Sequence, residues 1–85
     1  MAYSVSLSPA AVRQFRKFPI LIQQRLKQHI DPLAIIPRPA GTKKMEGEPN
    51  LYRIRVGDYR ILYYVWDSEQ EVLVAKIAHR REVYR

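Results

Sequence analysis

The feature of this sequence that most constrains its fold is the stretch LYRIRVGDYRILYY, residues 51–64. Apolar and polar side chains alternate on both sides of Gly57–Asp58, and this period is typical of half-buried β-strands. A dipeptide with glycine first suits a two-residue hairpin turn. The stretch therefore predicts a β-hairpin whose strands run from Leu51 to Val56 and from Tyr59 to Trp66.

The predicted hairpin determines which side chains share a face of the sheet. A two-residue turn places Arg55 opposite Arg60 and Arg53 opposite Leu62, and successive side chains alternate between faces. The core face is then formed by Tyr52, Ile54, Val56, Tyr59, Ile61, Tyr63 and Val65. The opposite face carries Arg53, Arg55, Arg60, Leu62 and Tyr64.

Three arginines on one face of a hairpin are unfavourable in isolation. Like charges directly opposed on a sheet repel each other, so Arg55 and Arg60 predict a surface that binds an anion. The alternative is a solvated outer face on which arginine only maintains solubility. The chain carries fifteen Lys and Arg against eight Asp and Glu, a formal net charge of +7. That excess also predicts a polyanionic partner, such as nucleic acid, an anionic membrane or an acidic protein.

The remaining segments predict two helices and two further strands. Residues 2–7 alternate as a strand, and Ser8–Pro9 suits the cap and first turn of a helix that Pro19 ends. A second helix follows, with apolar residues at helical spacing: Ile22, Leu26, Ile30 and Leu33. A proline-rich loop and a last strand, Val72–Ala78, come next. The order β-α-α-β-β-β predicts one α+β domain over residues 1–85, with two helices packed on one face of an antiparallel sheet.

The last strand is predicted to extend the arginine face. We expect Leu73, Ala75 and Ile77 on the core face, because the opposite register would bury Lys76. This register places on the arginine face Val74, Lys76, Ala78 and Arg80. Arg81 would then point the other way, and Tyr84 follows Arg80 closely enough to return to the same rim.

The composition excludes several kinds of site. The chain has no cysteine, which excludes disulfides, thiolate metal sites and cysteine nucleophiles. His29 and His79 lack metal-ligand spacing, and there is no glycine-rich phosphate loop, so we expect neither a metal nor a cofactor. No apolar run reaches membrane-spanning length, and the N-terminus lacks a signal-peptide pattern. We therefore expect a cytoplasmic protein with no membrane partner.

Clustered arginines suit the cleavage of RNA. The 2′-hydroxyl can attack its own phosphate when it is held in line, and cations aimed at the developing charge lower the barrier. Arginine binds phosphate through a planar fork of donors but transfers protons poorly. A tyrosine among arginines is a better candidate base, because nearby positive charge lowers its pKa. His79 is a second candidate, whereas His29 is expected to be structural and the loop acids Glu46 and Glu48 to be solvated.

Four segments carry a family resemblance: KMEG at 44–47, YRIR at 52–55, GDYR at 57–60 and HRREVY at 79–84. Together with the N-terminal segment, residues 2–19, they resemble the RelE group of the RelE/ParE toxin superfamily, from bacterial toxin–antitoxin systems. The resemblance covers nearly the whole chain and implies a fold like that of microbial ribonucleases. Because the sequence ends at Arg85, we expect the C-terminal helix of some members to be absent.

The resemblance also implies roles for individual residues. Arg53 and Arg55 match the paired basic residues of the first hairpin strand, which are Lys–Lys in some members, and Arg60 matches a phosphate-stabilising arginine. Arg80 and Tyr84 match a terminal arginine and a tyrosine that stacks on the substrate or takes a proton from it. Further candidate contacts to RNA are Lys43, Lys44, Lys76, Arg81 and Tyr64.

The function implied by the resemblance is that of a ribosome-dependent toxin. Such a toxin cuts mRNA in the ribosomal A site without metal, through attack by the 2′-hydroxyl, and thereby inhibits translation. The expected partners are mRNA, the ribosome with its rRNA, and a cognate acidic antitoxin of the RelB kind. Two alternatives stay open: a gyrase-inhibiting toxin of the ParE branch, and a catalytically silent RNA- or ribosome-binding module that uses the same basic face.

Overall fold

Two helices lie against one face of a five-stranded sheet in the computed structural model, which describes residues 2–80. The helices are α1 (Pro9–Lys17) and α2 (Ile20–Ile30), and a short 3₁₀ helix, Asp31–Ala34, follows α2. The strands are β1 (Ser4–Leu7), β2 (Lys43–Lys44), β3 (Leu51–Val56), β4 (Tyr59–Trp66) and β5 (Glu71–His79). Their order across the sheet is β1-β5-β4-β3-β2. No helix among the described residues is long and apolar enough to cross a membrane.

The predicted α+β architecture is confirmed, but the sheet differs from the prediction in two respects. β1 runs parallel to β5, whereas the other strand pairs are antiparallel, so the sheet is mixed. Strand direction does not follow from alternation of side chains. It follows here from the path of the chain. The helices lead from β1 at one edge of the sheet to β2 at the other edge, and the consecutive antiparallel strands β3, β4 and β5 then lead back to β1. The second difference is β2, which forms within a segment expected to be a loop by pairing with β3.

Helix α1 begins where the sequence predicts. The Oγ of Ser8 accepts a hydrogen bond from the Ala11 N–H at 3.1 Å, and Pro9 is the first helical residue. The Ser8 hydroxyl also donates to the carbonyl oxygen of Ala75 at 2.8 Å, and the Ser8 N–H donates to the carbonyl oxygen of Val74 at 2.8 Å. One serine therefore caps α1 and attaches its first turn to β5.

The predicted hairpin register is confirmed. Arg55 lies opposite Arg60 and Arg53 opposite Leu62. The residues predicted for the core face are buried or packed against the core: Tyr52, Ile54, Val56, Tyr59, Ile61, Tyr63 and Val65. The helix layer supplies the other side of this core through Ala11, Leu26, Ile30 and Leu33.

The side chain of Tyr63 is fully buried, and its hydroxyl has partners in the core. It donates to the carbonyl oxygen of Pro37 at 2.9 Å and lies 3.2 Å from the Oγ1 of Thr42. Burial raises the pKa of the Tyr63 hydroxyl. This residue therefore attaches the loop before β2 to the middle of the sheet.

The predicted register of β5 is wrong in the first half of the strand. We expected Leu73 and Ala75 in the core and Val74 on the arginine face. Instead, Val74 is fully buried opposite Tyr63, and Leu73 lies opposite Tyr64 on the other face.

A β-bulge at Ala75 makes the prediction correct for the second half of β5. Val74 and Lys76 pair with consecutive residues of β4, so Ala75 lies between them as an extra residue. The insertion changes the alternation by one, which places Lys76 on the arginine face and Ile77 in the core. Alternation alone could not reveal the bulge, because the hydroxyl that binds the Ala75 carbonyl belongs to Ser8, far away in the sequence.

A polar cluster anchors the loop before β2 to the end of the sheet. The Nη2 of Arg38 lies 2.9 Å from the Oδ1 of Asp67, and the Tyr3 hydroxyl donates to the same oxygen at 2.6 Å. The bond from Tyr3 and then that from Arg38 lower the pKa of the Asp67 carboxyl. The Arg38 guanidinium carbon also lies 5.5 Å from the ring centroid of Tyr52. The segment that leads into β2 is therefore held on both sides.

Candidate functional site

The candidate site lies on the face of the sheet opposite the helices. Its cations belong to two rows of residues that run across the strands. The first row is Lys43, Arg53, Leu62 and Lys76, from β2 to β5. The second row, nearer the hairpin turn, is Arg55, Arg60 and Ala78. We call the five cations of these rows, Lys43, Arg53, Arg55, Arg60 and Lys76, the basic face.

A cleft of about 270 Å³ lies at the end of the second row and is called the turn cleft. Its lining residues are Arg55, Gly57, Asp58, Tyr59, Arg60 and Arg80. The Arg80 N–H donates to the carbonyl oxygen of Asp58 at 2.6 Å, so the hairpin turn holds the residue that follows β5. Two arginines of the hairpin, Arg55 and Arg60, thus meet Arg80, which is distant in sequence, around one cleft.

A second cleft, of about 340 Å³, lies at the edge of the sheet, next to Lys43 at the start of β2. We call it the edge cleft. Its lining residues are His29, Ala40, Gly41, Lys43, Arg53, Ile54 and Arg55. Arg55 lines both clefts, so they are neighbours along β3. No carboxylate lines the edge cleft among the residues that the structure describes.

The two lysines of β2 lie on different faces of the sheet. Lys43 pairs with Arg53 and belongs to the basic face, whereas Lys44 pairs with Tyr52 and lies on the helix side. Lys76 is exposed on the basic face opposite Leu62. Of the lysines predicted to contact RNA, the fold therefore places Lys43 and Lys76 on the same face of the sheet, at opposite ends of the first row, and Lys44 on the other face.

Tyr64 lies on the same face as the cations, beyond their first row. Its ring stacks on that of Trp66, with centroids 5.3 Å apart and planes 1° from parallel. The Tyr64 hydroxyl donates to the Oε2 of Glu48 at 3.1 Å, and this bond raises its pKa. The pair forms an aromatic surface beside the basic face.

The predicted proton-transfer groups differ in what the structure describes. His79 pairs with Tyr59 and packs edge-on against its ring, with centroids 5.0 Å apart. This places His79 on the helix side, turned away from the arginines as the register predicted. Arg81 and Tyr84 lie outside the described residues.

Sequence reasoning missed a contribution from α2. The guanidinium of Arg25 lies against the hairpin turn, with its Nη1 3.5 Å from the position that a Cβ at Gly57 would occupy. His29, one turn further along α2, lines the edge cleft. The spacing of four residues indicates a shared helix face, but only the packing of α2 against β3 shows that this face meets the site.

The site offers guanidinium groups from three strand ends to one anion. Each guanidinium presents up to five N–H donors in a plane and can bind two phosphate oxygens at once. Arg55, Arg60 and Arg80 around the turn cleft are therefore suited to hold a phosphate and to stabilise charge that develops on it.

Comparison with known proteins identifies the fold and the family. A sequence profile described as the ParE toxin of the type II toxin–antitoxin system, parDE, matches residues 5–84. The chain belongs to this toxin family. Within the RelE/ParE superfamily its relatives include the mRNA interferase toxin RelE of Escherichia coli, which is 30% identical over 88 aligned positions. That alignment covers 99% of this chain and 92% of the relative, so the toxin is of the RelE type.

A more distant relative and two solved structures agree with this assignment. The putative toxin RelE1 of Methanocaldococcus jannaschii is 24% identical, with 100% of this chain and 98% of the relative covered. The archaeal RelE–RelB complex of Pyrococcus horikoshii contains a chain that matches with a TM-score of 0.84 and 29% identity, covering 94% of this chain and 97% of that one. The isolated E. coli RelE toxin matches with a TM-score of 0.81 and 29% identity, covering 98% and 92%. The RelE resemblance found in the sequence is therefore confirmed at the level of fold and family.

Proposed function

We propose that this RelE-type toxin is a ribosome-dependent endoribonuclease that cleaves mRNA in the A site and so inhibits translation. The observation that carries the proposal is the meeting of Arg55, Arg60 and Arg80 around the turn cleft. The name of the E. coli relative, an mRNA interferase toxin, supports the same activity. A ribosomal target places its action in the cytoplasm.

The proposed reaction uses a hydroxyl of the substrate as nucleophile. The 2′-oxygen forms a bond to the adjacent phosphorus while the bond from phosphorus to the 5′-oxygen of the next nucleotide breaks. Arg60 and Arg80 bind the phosphate oxygens, whose negative charge grows in the transition state, and Arg53 and Arg55 position the strand. Because these guanidinium groups supply the positive charge, the proposed mechanism requires no metal ion.

The proton of the 2′-hydroxyl needs an acceptor, and Tyr84 is the proposed one. The positive charges of the four arginines at and beside the turn cleft would lower the pKa of a phenol placed among them. These arginines are Arg53, Arg55, Arg60 and Arg80. His79 is the alternative acceptor. The leaving 5′-oxygen takes up a proton from water, and the hydroxide left behind removes the proton that Tyr84 accepted, which balances the reaction.

The proposed inhibitor is a cognate acidic antitoxin of the RelB kind. Related structures are complexes of RelE with RelB from Pyrococcus horikoshii, Mycobacterium tuberculosis and E. coli. The formal net charge of +7 and the mutual repulsion on the basic face favour a negatively charged segment that orders as it binds. Its affinity should fall with added salt, because ion pairs at an interface contribute to specificity and association rate. An antitoxin that binds independently of salt and leaves cleavage intact would contradict this proposal.

The deciding experiment measures mRNA cleavage with purified toxin, with and without ribosomes. Cleavage only with ribosomes is expected. The family profile is named for ParE, so the same protein should be assayed for inhibition of gyrase supercoiling. Gyrase inhibition without cleavage would establish the ParE-like alternative, and ribosome binding without cleavage would establish the silent binding module.

A further inference from the structure

One stretch of β3 forms a partly open edge of the sheet. β2 pairs only with Tyr52 and Arg53, so among the described strands residues 54–56 have a neighbour on the β4 side alone. The edge cleft lies at the start of this stretch and the turn cleft at its end. Gly57 lies four positions after Arg53, which corresponds to about 13 Å of extended chain. The edge is therefore long enough for more than one phosphate.

Positive side chains border this edge on both sides. The basic face contributes Lys43, Arg53 and Arg55, all of which line the edge cleft. Helix α2 contributes Arg25, whose guanidinium lies beside Gly57, at the turn-cleft end. A groove with cations on both walls matches the charge of a nucleic-acid backbone.

The orientation of His29 adds an acceptor to this row of donors. Its Nδ1 lies 3.0 Å from the carbonyl oxygen of Arg25. Since a carbonyl oxygen can only accept, Nδ1 carries the proton in this contact, and Nε2 of the neutral ring is an acceptor. A ribose 2′-hydroxyl is a donor that RNA has and DNA lacks. The position of His29 in the edge cleft therefore suits a ribonucleotide.

We propose that the edge of β3, between the edge cleft and the turn cleft, is a second binding site for the backbone of RNA. Lys43 and Arg25 contact phosphates at the two ends of this edge, and His29 accepts a hydrogen bond from a 2′-hydroxyl. The proposal rests on the proposed function for the substrate in the turn cleft. The strand bound at the edge is either the mRNA itself or ribosomal RNA, since both present the same chemistry.

The test compares three variants, Arg25→Ala, His29→Ala and Lys43→Ala, with the control Lys27→Ala. Lys27 is exposed on α2 but lies two residues from both Arg25 and His29, on the other side of the helix. The first measurement is the affinity of the free toxin for a short RNA strand and for DNA of the same sequence, as a function of salt. Arg25→Ala and Lys43→Ala should each reduce the salt slope by about 0.7, as expected for one phosphate contact on a single strand. His29→Ala should leave the slope unchanged and reduce the preference for RNA over DNA several-fold.

A second measurement distinguishes the two sources of RNA and separates this proposal from the proposed function. KM and kcat for cleavage on the ribosome, and affinity for ribosomes without mRNA, are determined for each variant. A higher KM with unchanged kcat assigns the edge to mRNA, and weaker binding to ribosomes without mRNA assigns it to ribosomal RNA. If the three variants bind RNA and ribosomes like Lys27→Ala, the edge site does not exist, even where the wild-type toxin cleaves mRNA. Thermal unfolding of each variant verifies that it is folded.

Discussion

Arg55 lies directly opposite Arg60 across the β3–β4 hairpin, and both side chains line the turn cleft. Two like charges in this position destabilise a sheet by a few tenths of a kcal/mol to about 1 kcal/mol. The proposed function accounts for this arrangement through an anion that the pair binds, rather than through a contribution to folding. An anion held between the two guanidinium groups would convert the repulsion into two attractive contacts.

Arg60→Ala is expected to reduce cleavage strongly while the protein stays folded. Loss of one group that stabilises developing charge lowers kcat by roughly 100- to 1,000-fold. The free energy of unfolding should stay unchanged or rise by up to about 1 kcal/mol, because Arg60 lies on the face away from the core and its loss removes the repulsion with Arg55. Cleavage on programmed ribosomes and unfolding in denaturant measure the two effects. Arg13→Ala, on the exposed side of α1, is the matched control, and an active or unfolded Arg60→Ala protein would contradict the assignment.

Tyr84→Phe is expected to slow the chemical step more than it weakens ribosome binding. General acid–base catalysis contributes roughly 100- to 10,000-fold, and phenylalanine keeps the ring while removing the hydroxyl. Single-turnover cleavage at saturating toxin isolates this step. His79→Ala is the companion variant. Normal cleavage by Tyr84→Phe together with slow cleavage by His79→Ala would show that His79, and not Tyr84, is the proton acceptor.

Ser8→Ala is expected to destabilise the fold by about 1–2 kcal/mol. The substitution removes the cap of α1 and the hydrogen bond to the Ala75 carbonyl at the bulge. Denaturant unfolding measures the loss. Ser6→Ala, at an exposed position of β1, should change the stability by less than about 0.5 kcal/mol. Equal effects of the two substitutions would show that the bulge does not depend on Ser8.

The burial of Tyr63 predicts a loss of stability at alkaline pH. Its pKa is raised in the folded protein, so folding favours the protonated phenol. Its contribution is fully present below the pKa of an unfolded tyrosine, about 10, and is lost as the pH rises towards the folded value. Tyr63→Phe should flatten this alkaline loss and cost about 1 kcal/mol at neutral pH through the bond to the Pro37 carbonyl. Unfolding curves from pH 7 to 11 test this, and the same alkaline slope in both proteins would contradict it.

The sequence predicted the hairpin and its two faces because strict alternation and a glycine turn leave one register. It did not predict that β1 is parallel to β5, since direction depends on how the helices cross the sheet. It also failed for Val74, because the bulge beside it is bonded to Ser8, which is remote in sequence. For the same reason His29 was expected to be structural and Arg25 was given no role: their proximity to the clefts depends on how α2 packs against β3.

The bulge at Ala75 lets one strand satisfy two sets of requirements. Before it, β5 follows the pattern of a core strand between β1 and β4, and after it the same strand presents Lys76 to the basic face. Deleting Ala75 would remove the bulge without exchanging the faces, because Val74 and Lys76 already pair with consecutive residues of β4. The Ser8 hydroxyl would instead lose the carbonyl oxygen to which it donates. This position therefore matters through its backbone rather than its side chain, and homologous toxins that keep a serine before α1 should vary here in residue type rather than lose the residue.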